Sequence, residues 1–222
     1  MRPFSDIYDR ACARKGGKAA LDDTLPAFRT PEDLRQISDD RWLAGAAKVV
    51  FRAGFSWKVV EAKWPGFEVA FDGFDPHRVA MYTDEDLDRL VSDKNIIRNG
   101  QKIRSVLENA VFFTDLVNDA GSVGAFFAAW PSEDFVGLWQ FLKKRGSRLG
   151  GNSGPFFLRE MGWDTPMMSN DVVKVLIDEG VVDKAPTSQK ALAAVQEAFN
   201  EWHGQSGLPY AQMSRIMAQS ID

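Results

Sequence analysis

From residue 31 onward the apolar residues of this 222-residue chain recur at spacings of three and four, and no stretch of useful length alternates apolar with polar. Such spacing gives a helix one buried face, whereas a half-buried strand needs a period of two. The chain is therefore expected to be nearly all α, with about ten helices and no sheet. The clearest segment is Ile103 to Leu116, where Ile103, Val106, Leu107, Ala110, Val111, Phe113 and Leu116 line one side of a long amphipathic helix. That helix is expected to cross the core.

Helix starts and stops divide the rest. Thr30-Pro31-Glu32-Asp33 combines a cap, a proline suited to the first helical position and two acids facing the dipole. A helix follows from Ser38-Asp39-Asp40 through Trp42, Leu43, Ala46, Ala47, Val50 and Phe51 to Gly54, and a short one from Ser56 to Lys63 is expected to stop at Trp64-Pro65-Gly66. Asp75 and Thr83 open further helices, Ser122 and Ser132 are serine caps, and Ser188 to His203 and Tyr210 to Ser220 follow. Residues 1–30, broken by Arg14-Lys15-Gly16-Gly17-Lys18 and Pro26, read as an irregular arm with one short helix, leaving 31–222 as a helical domain of two lobes flanking a cleft.

Sixteen Phe, seven Trp and a 45% hydrophobic content suffice for a packed interior. No apolar run approaches the roughly 18 residues of a membrane span, and Met1 to Arg10 lacks the apolar stretch of a secretory signal, so the protein is expected to be cytoplasmic, with no membrane partner. The single Cys12 excludes an internal disulfide, and with only His77 and His203 beside it no metal or cofactor site is expected. A net charge of -4 argues against nucleic-acid binding by the whole surface, but a local basic face is compatible with it because acids gather at Asp84 to Asp88 and Asp178 to Asp183.

Such a basic face lies between Lys143 and Asp171. Lys143, Lys144, Arg145 and Arg148 flank Leu149-Gly150-Gly151-Asn152-Ser153-Gly154, after which Pro155 opens another helix. Gly150, Gly151 and Gly154 leave backbone N–H groups uncovered at a helix N-terminus, which is an anion site by geometry and by dipole. The same glycines also serve a plain tight turn, and the basic cluster also suits a solvated helix end. Asp171 reads either as a catalytic carboxylate or as the N-cap of a helix from Val172 to Asp178.

Helix, glycine-rich turn, helix and a following Asp in Asn170-Asp171-Val172-Val173 resemble the helix-hairpin-helix DNA glycosylases. Upstream blocks narrow the resemblance: Ala53-Gly54-Phe55-Ser56-Trp57, Phe74-Asp75-Pro76, Val79-Ala80-Met81, Leu90-Val91, Asn95 to Ile103 and Leu142-Lys143-Lys144-Arg145-Gly146. In this order, over about Trp42 to Val173, they are similar to the DNA-3-methyladenine glycosylase I family. The chain departs from it in three ways. The family's pocket glutamate, eight residues before the tryptophan, is Val49 here; the zinc-binding Cys and His have no matching set; and the N-terminal cluster of Tyr, His and Trp is missing.

The resemblance implies base excision repair. An alkylated purine of the 3-methyladenine kind is flipped from double-stranded DNA and its N-glycosidic bond is hydrolysed. Trp57 and Phe55 would form the base pocket, with Trp57 otherwise a core residue. Asp171 or Asn170 would take the catalytic place. Gly150, Gly151, Asn152, Gly154, Lys143, Lys144 and Arg145 would grip the backbone, and Arg98 and Lys102 would touch the opposite strand or be ordinary surface. With no lysine at an obvious nucleophile position, the enzyme would be monofunctional, and it is expected to be a monomer. The other reading is a catalytically silent helix-hairpin-helix DNA-binding protein.

Overall fold

Fourteen α-helices and one 3-10 turn make up residues 1–221, the part that the computed structural model describes, and no strand occurs among them. In chain order the helices are α1 (Phe4–Lys15), α2 (Lys18–Asp22), α3 (Pro31–Arg35), α4 (Asp39–Arg52), α5 (Trp57–Ala70), α6 (Pro76–Val79) and α7 (Asp84–Ser92). Then come α8 (Gly100–Ala120), α9 (Val123–Ala129), α10 (Phe135–Arg145), α11 (Ser153–Met161), α12 (Asn170–Asp178), α13 (Gln189–Ser206) and α14 (Tyr210–Gln219). The chain divides into two compact units, one of residues 29–130 and 139–163, the other of 1–28, 131–138 and 164 onward.

In the first unit the amphipathic faces of α4, α8, α9 and α11 meet in an aromatic cluster. Trp42 stacks on Phe127 at 4.6 Å, Phe157 lies 5.8 Å from Trp42, and Phe113 lies 6.0 Å from Phe157. The Met161 side chain of α11 packs directly over Gly45 of α4, where a Cβ would lie 2.4 Å from its Sδ. A second cluster joins Phe51 of α4 to Phe67 at 4.6 Å, with Trp64, Phe71 and Phe74 stacked around it. Buried rings of this size dominate the packing energy of a small unit.

That second cluster explains why α5 does not stop at Pro65. The proline leaves the carbonyl of Glu61 without its intrahelical donor, at a cost of about 3 kcal/mol in an exposed helix. Burial of Phe67 and Ala70 beyond it, and the Trp64 Nε1–H bond to Glu68 at 2.9 Å, hold the helix through the proline to Ala70. Capping is otherwise much as expected. Thr30 and Asp33 form a reciprocal box, Asp75 accepts from the N–H groups of His77 and Arg78, and Ser122 and Ser188 cap α9 and α13. The start of α10 differs: it begins at Phe135, and Asp134 rather than Ser132 accepts from the N–H of Gly137 at 3.1 Å.

The segment expected as an irregular arm is instead two helices, α1 and α2, because Phe4, Ile7, Ala11 and Leu21 make an apolar face that is buried in the second unit. Phe4 lies 5.9 Å from Trp202, and Glu179 accepts from the N–H and Nε–H of Arg2 at 3.0 and 3.1 Å. Phe135, Phe199 and Tyr210 complete that core.

Candidate functional site

At the C-terminus of α4 every carbonyl of the last turn is satisfied in a specific way. Val49 accepts from the N–H of Ala53 and Arg52 from that of Phe55, while Val50 and Phe51 accept from the ammonium of Lys102 at 2.8 and 3.2 Å. Lys102 Nζ also bonds the carbonyl of Ala53 and lies 4.6 Å from the ring centre of Phe55. This corrects two expectations. Lys102 is only 7% exposed, a buried cap on α4 rather than a DNA-facing cation, and burial lowers its pKa. Phe55 does not line the pocket beside Trp57; it covers the Lys102 ammonium.

The chain reverses at Gly54 to Phe55 and α5 begins at Trp57, whose ring is 52% exposed. Trp57 is thus not a core residue. It forms one wall of a cavity of about 310 Å³ whose other walls are Val49 and Arg52 of α4, Ala53 just after it, and Ser153, Phe156 and Glu160 of α11, with Asn152 also lining it. The lining is mainly apolar, with one compact set of charges. The Arg52 guanidinium lies 4.6 Å from the Trp57 ring centre, Nη1 is 3.1 Å from Oε1 of Glu160, and Nη2 bonds Glu61. Glu61 is also paired with Lys48 at 2.8 Å, and Lys48 and Arg52 together hold its carboxyl below the usual range.

The turn between α10 and α11 is built by its neighbours. Buried Asn109 of α8 accepts from the N–H of Ser147 at 2.7 Å and donates to its carbonyl at 3.0 Å, which clamps the two peptide groups that flank Ser147. Arg148 takes a positive φ of 60° and donates to Gln101 at 2.6 Å. Gly151 has φ 58°, and a Cβ on Gly154 would lie 2.7 Å from the carbonyl oxygen of Leu149, so the turn and the first turn of α11 touch backbone to backbone. Among the described residues no carbonyl accepts from the N–H groups of Gly150, Gly151 or Asn152. These donors, at the positive end of α11, suit an anion. Lys143 and Lys144 are exposed, as is Arg98 ahead of α8, whereas Arg145 pairs with Asp115 at 3.1 Å and lies over Phe112 and Phe141.

Asn170 and Asp171 belong to the second unit, in the exposed first turn of α12. The cap of that helix is Ser169, which accepts from the N–H of Val172 at 3.2 Å, so Asp171 is not the capping residue. Its carboxylate stands in the first turn, at the positive end of the dipole, and accepts no hydrogen bond from the described residues. Among the described residues no three of His, Cys, Asp and Glu stand close enough to hold a metal ion, and His203 is engaged with the carbonyl of Leu208 at 2.8 Å.

Two pocket residues, Arg52 and Glu160, are missing from the sequence reading. The available signal was helical spacing: Arg52 is three residues after Val49, and Glu160 is four after Phe156, each pair on one helix face.

An all-helical chain with a clamped glycine hairpin and an aromatic-walled cavity is the fold of the helix-hairpin-helix DNA glycosylases. The 8-oxoguanine DNA glycosylase of Methanocaldococcus jannaschii shares it with a TM-score of 0.53 at 12% identity, over 95% of this chain and 91% of that one. The 3-methyladenine DNA glycosylase I of Staphylococcus aureus superposes with a TM-score of 0.51 at 20% identity, over 65% and 84%. Residues 48–144 match the model of the methyladenine glycosylase family. DNA-3-methyladenine glycosylase 1 of Escherichia coli is 42% identical over 91 residues, 41% of this chain and 43% of that protein. The chain thus spans less than half the length of this curated relative, and the likeness is confined to the matched segment. The segment includes Val49, Arg52 and Trp57 but ends before the hairpin turn and Glu160.

Proposed function

We propose that this protein is a monofunctional DNA glycosylase that removes alkylated purines from double-stranded DNA as a cytoplasmic monomer. The observation that carries the reading is the half-exposed Trp57 ring on the wall of the 310 Å³ cavity, beside the N-terminus of the hairpin helix α11. A purine turned out of the stack finds there an aromatic face and an apolar enclosure, and a cavity of this volume is within the range of small-ligand sites. The uncovered N–H groups of Gly150 to Asn152 and the exposed Lys143 and Lys144 supply the grip on the backbone phosphates. Alkylation makes the purine a cationic leaving group, so the demand on catalysis is modest. A carboxylate near the sugar offsets the oxocarbenium charge, and Asp171, free of any capping duty, is assigned that part.

The experiment is release of free base from methylated duplex DNA by the wild type and by Asp171→Asn. Release by the wild type, reduced about 100-fold or more in the variant, supports the reading. DNA binding without release of any alkylated base supports the silent DNA-binding protein instead.

A further inference from the structure

The cavity has an acid of its own. Glu160 stands on α11 one turn after Phe156, its side chain 40% exposed, and its Oε1 meets Arg52 while Oε2 accepts from none of the described residues. Arg52 is nearly buried, with a side-chain exposure of 14%, and its enclosed Nε–H has no partner among the described residues. Val49 on the facing helix offers neither a donor nor an acceptor. One wall thus presents a stacking ring and a carboxylate with a free oxygen.

The charges point the same way. Lys48, Arg52, Glu61 and Glu160 form a chain of ion pairs with two cations and two carboxylates. Glu61 is occupied by both Lys48 and Arg52, which leaves Glu160 as the carboxylate with capacity for a further positive group. A cationic purine stacked on Trp57 enters beside the Arg52 guanidinium, and without Glu160 it would meet an unbalanced like charge.

We propose that Glu160 is the specificity-determining residue of the pocket: its carboxylate accepts from the N–H edge of the flipped purine and offsets the charge of the alkylated ring. Arg52 is a positioning residue that holds the Glu160 carboxylate at the cavity. The proposal rests on the glycosylase reading for its ligand, and it assigns the base-reading acid to the hairpin helix.

The test compares wild type, Glu160→Gln and Glu160→Gln/Val49→Glu, using calorimetric titration with free 3-methyladenine, base release from methylated duplex, affinity for duplex containing an abasic-site analogue, and thermal unfolding. Glu160→Gln is expected to bind 3-methyladenine about 10- to 100-fold more weakly, the factor carried by a hydrogen bond to a charged group. Its abasic-duplex affinity and unfolding temperature should match the wild type, and a carboxylate returned at position 49 should recover part of the loss. Base binding equal to wild type in Glu160→Gln overturns the proposal, as does a wild type that binds no base, or a parallel loss of abasic-duplex affinity and stability. Base binding that depends on Glu160 in a protein that releases no base refutes the glycosylase reading alone.

Discussion

Replacing Lys102 by methionine separates a structural role from a DNA-binding one at a residue where the two make opposite predictions. Methionine keeps an unbranched stem but removes the donor to Val50, Phe51 and Ala53. Ala53 is exposed, so water takes over there; the carbonyls of Val50 and Phe51 lie in buried residues. Each buried carbonyl left unpaired costs about 1–3 kcal/mol, and removing a partly desolvated ammonium returns some of that, so the net loss is about 2–4 kcal/mol. For a chain of this size that corresponds to a fall of about 5–15 °C in Tm. Urea or thermal unfolding reads the loss, and salt-dependent DNA binding of the folded variant reads the rest. The salt slope should be unchanged, whereas loss of a phosphate contact lowers it by about one. Unaltered stability with a reduced slope would refute the capping role. The pH dependence carries a second signature. Burial sets the folded-state pKa of Lys102 below 10.5, so the unfolded chain binds the extra proton between the two values and the wild type gains stability as pH rises through that window. Lys102→Met should lack this gain.

Trp57→Ala should cost little stability, because half of the ring is already in water, and should weaken base binding by about 1–3 kcal/mol, measured by titration with free base. Gly151→Ala meets no atom within 4 Å but must hold φ 58°, so unfolding should show a loss of about 1 kcal/mol, with a larger loss in duplex affinity if a phosphate rests on that turn. Glu179 supplies an acid-limb prediction. Burial alone would raise its carboxyl, but hydrogen bonds and charge from Arg2, with the charge of Arg10, hold it below 4.5. Its stabilisation is complete above 4.5 and is lost as pH falls through the folded value, so Glu179→Gln should flatten the acid limb of unfolding against pH.

Local signals carried a large share of this architecture. Period and caps located α3, α4, α8, α9 and α13, since a buried face and an N-cap are written in neighbouring residues. They failed where distant atoms decide. Pro65 reads as a stop, yet Phe51 from another helix holds α5 past it. The N-terminal thirty residues look broken, yet the apolar face of α1 is buried against Trp202. In the candidate site, the tight glycine turn was legible because it rests on local backbone conformation, whereas the exposure of Trp57 was decided by the packing of α4 on α11. Lys102 and Arg98, alike as charges four residues apart, were not distinguishable, because only the packing of the start of α8 against the end of α4 decides which cation has carbonyls to bind.

The sequence by itself determined an all-helical chain, a hairpin with donors free for an anion, and a tryptophan ahead of a helix, since each follows from interactions within a few residues. The tertiary structure decided which acid stands at the cavity. Glu160 is 103 positions from Trp57 in the chain, and only the packing of α4 on α11 brings its carboxylate to the Arg52 guanidinium that lies over that ring. No local pattern encodes that contact, because its energy comes from the burial of faces on separate helices.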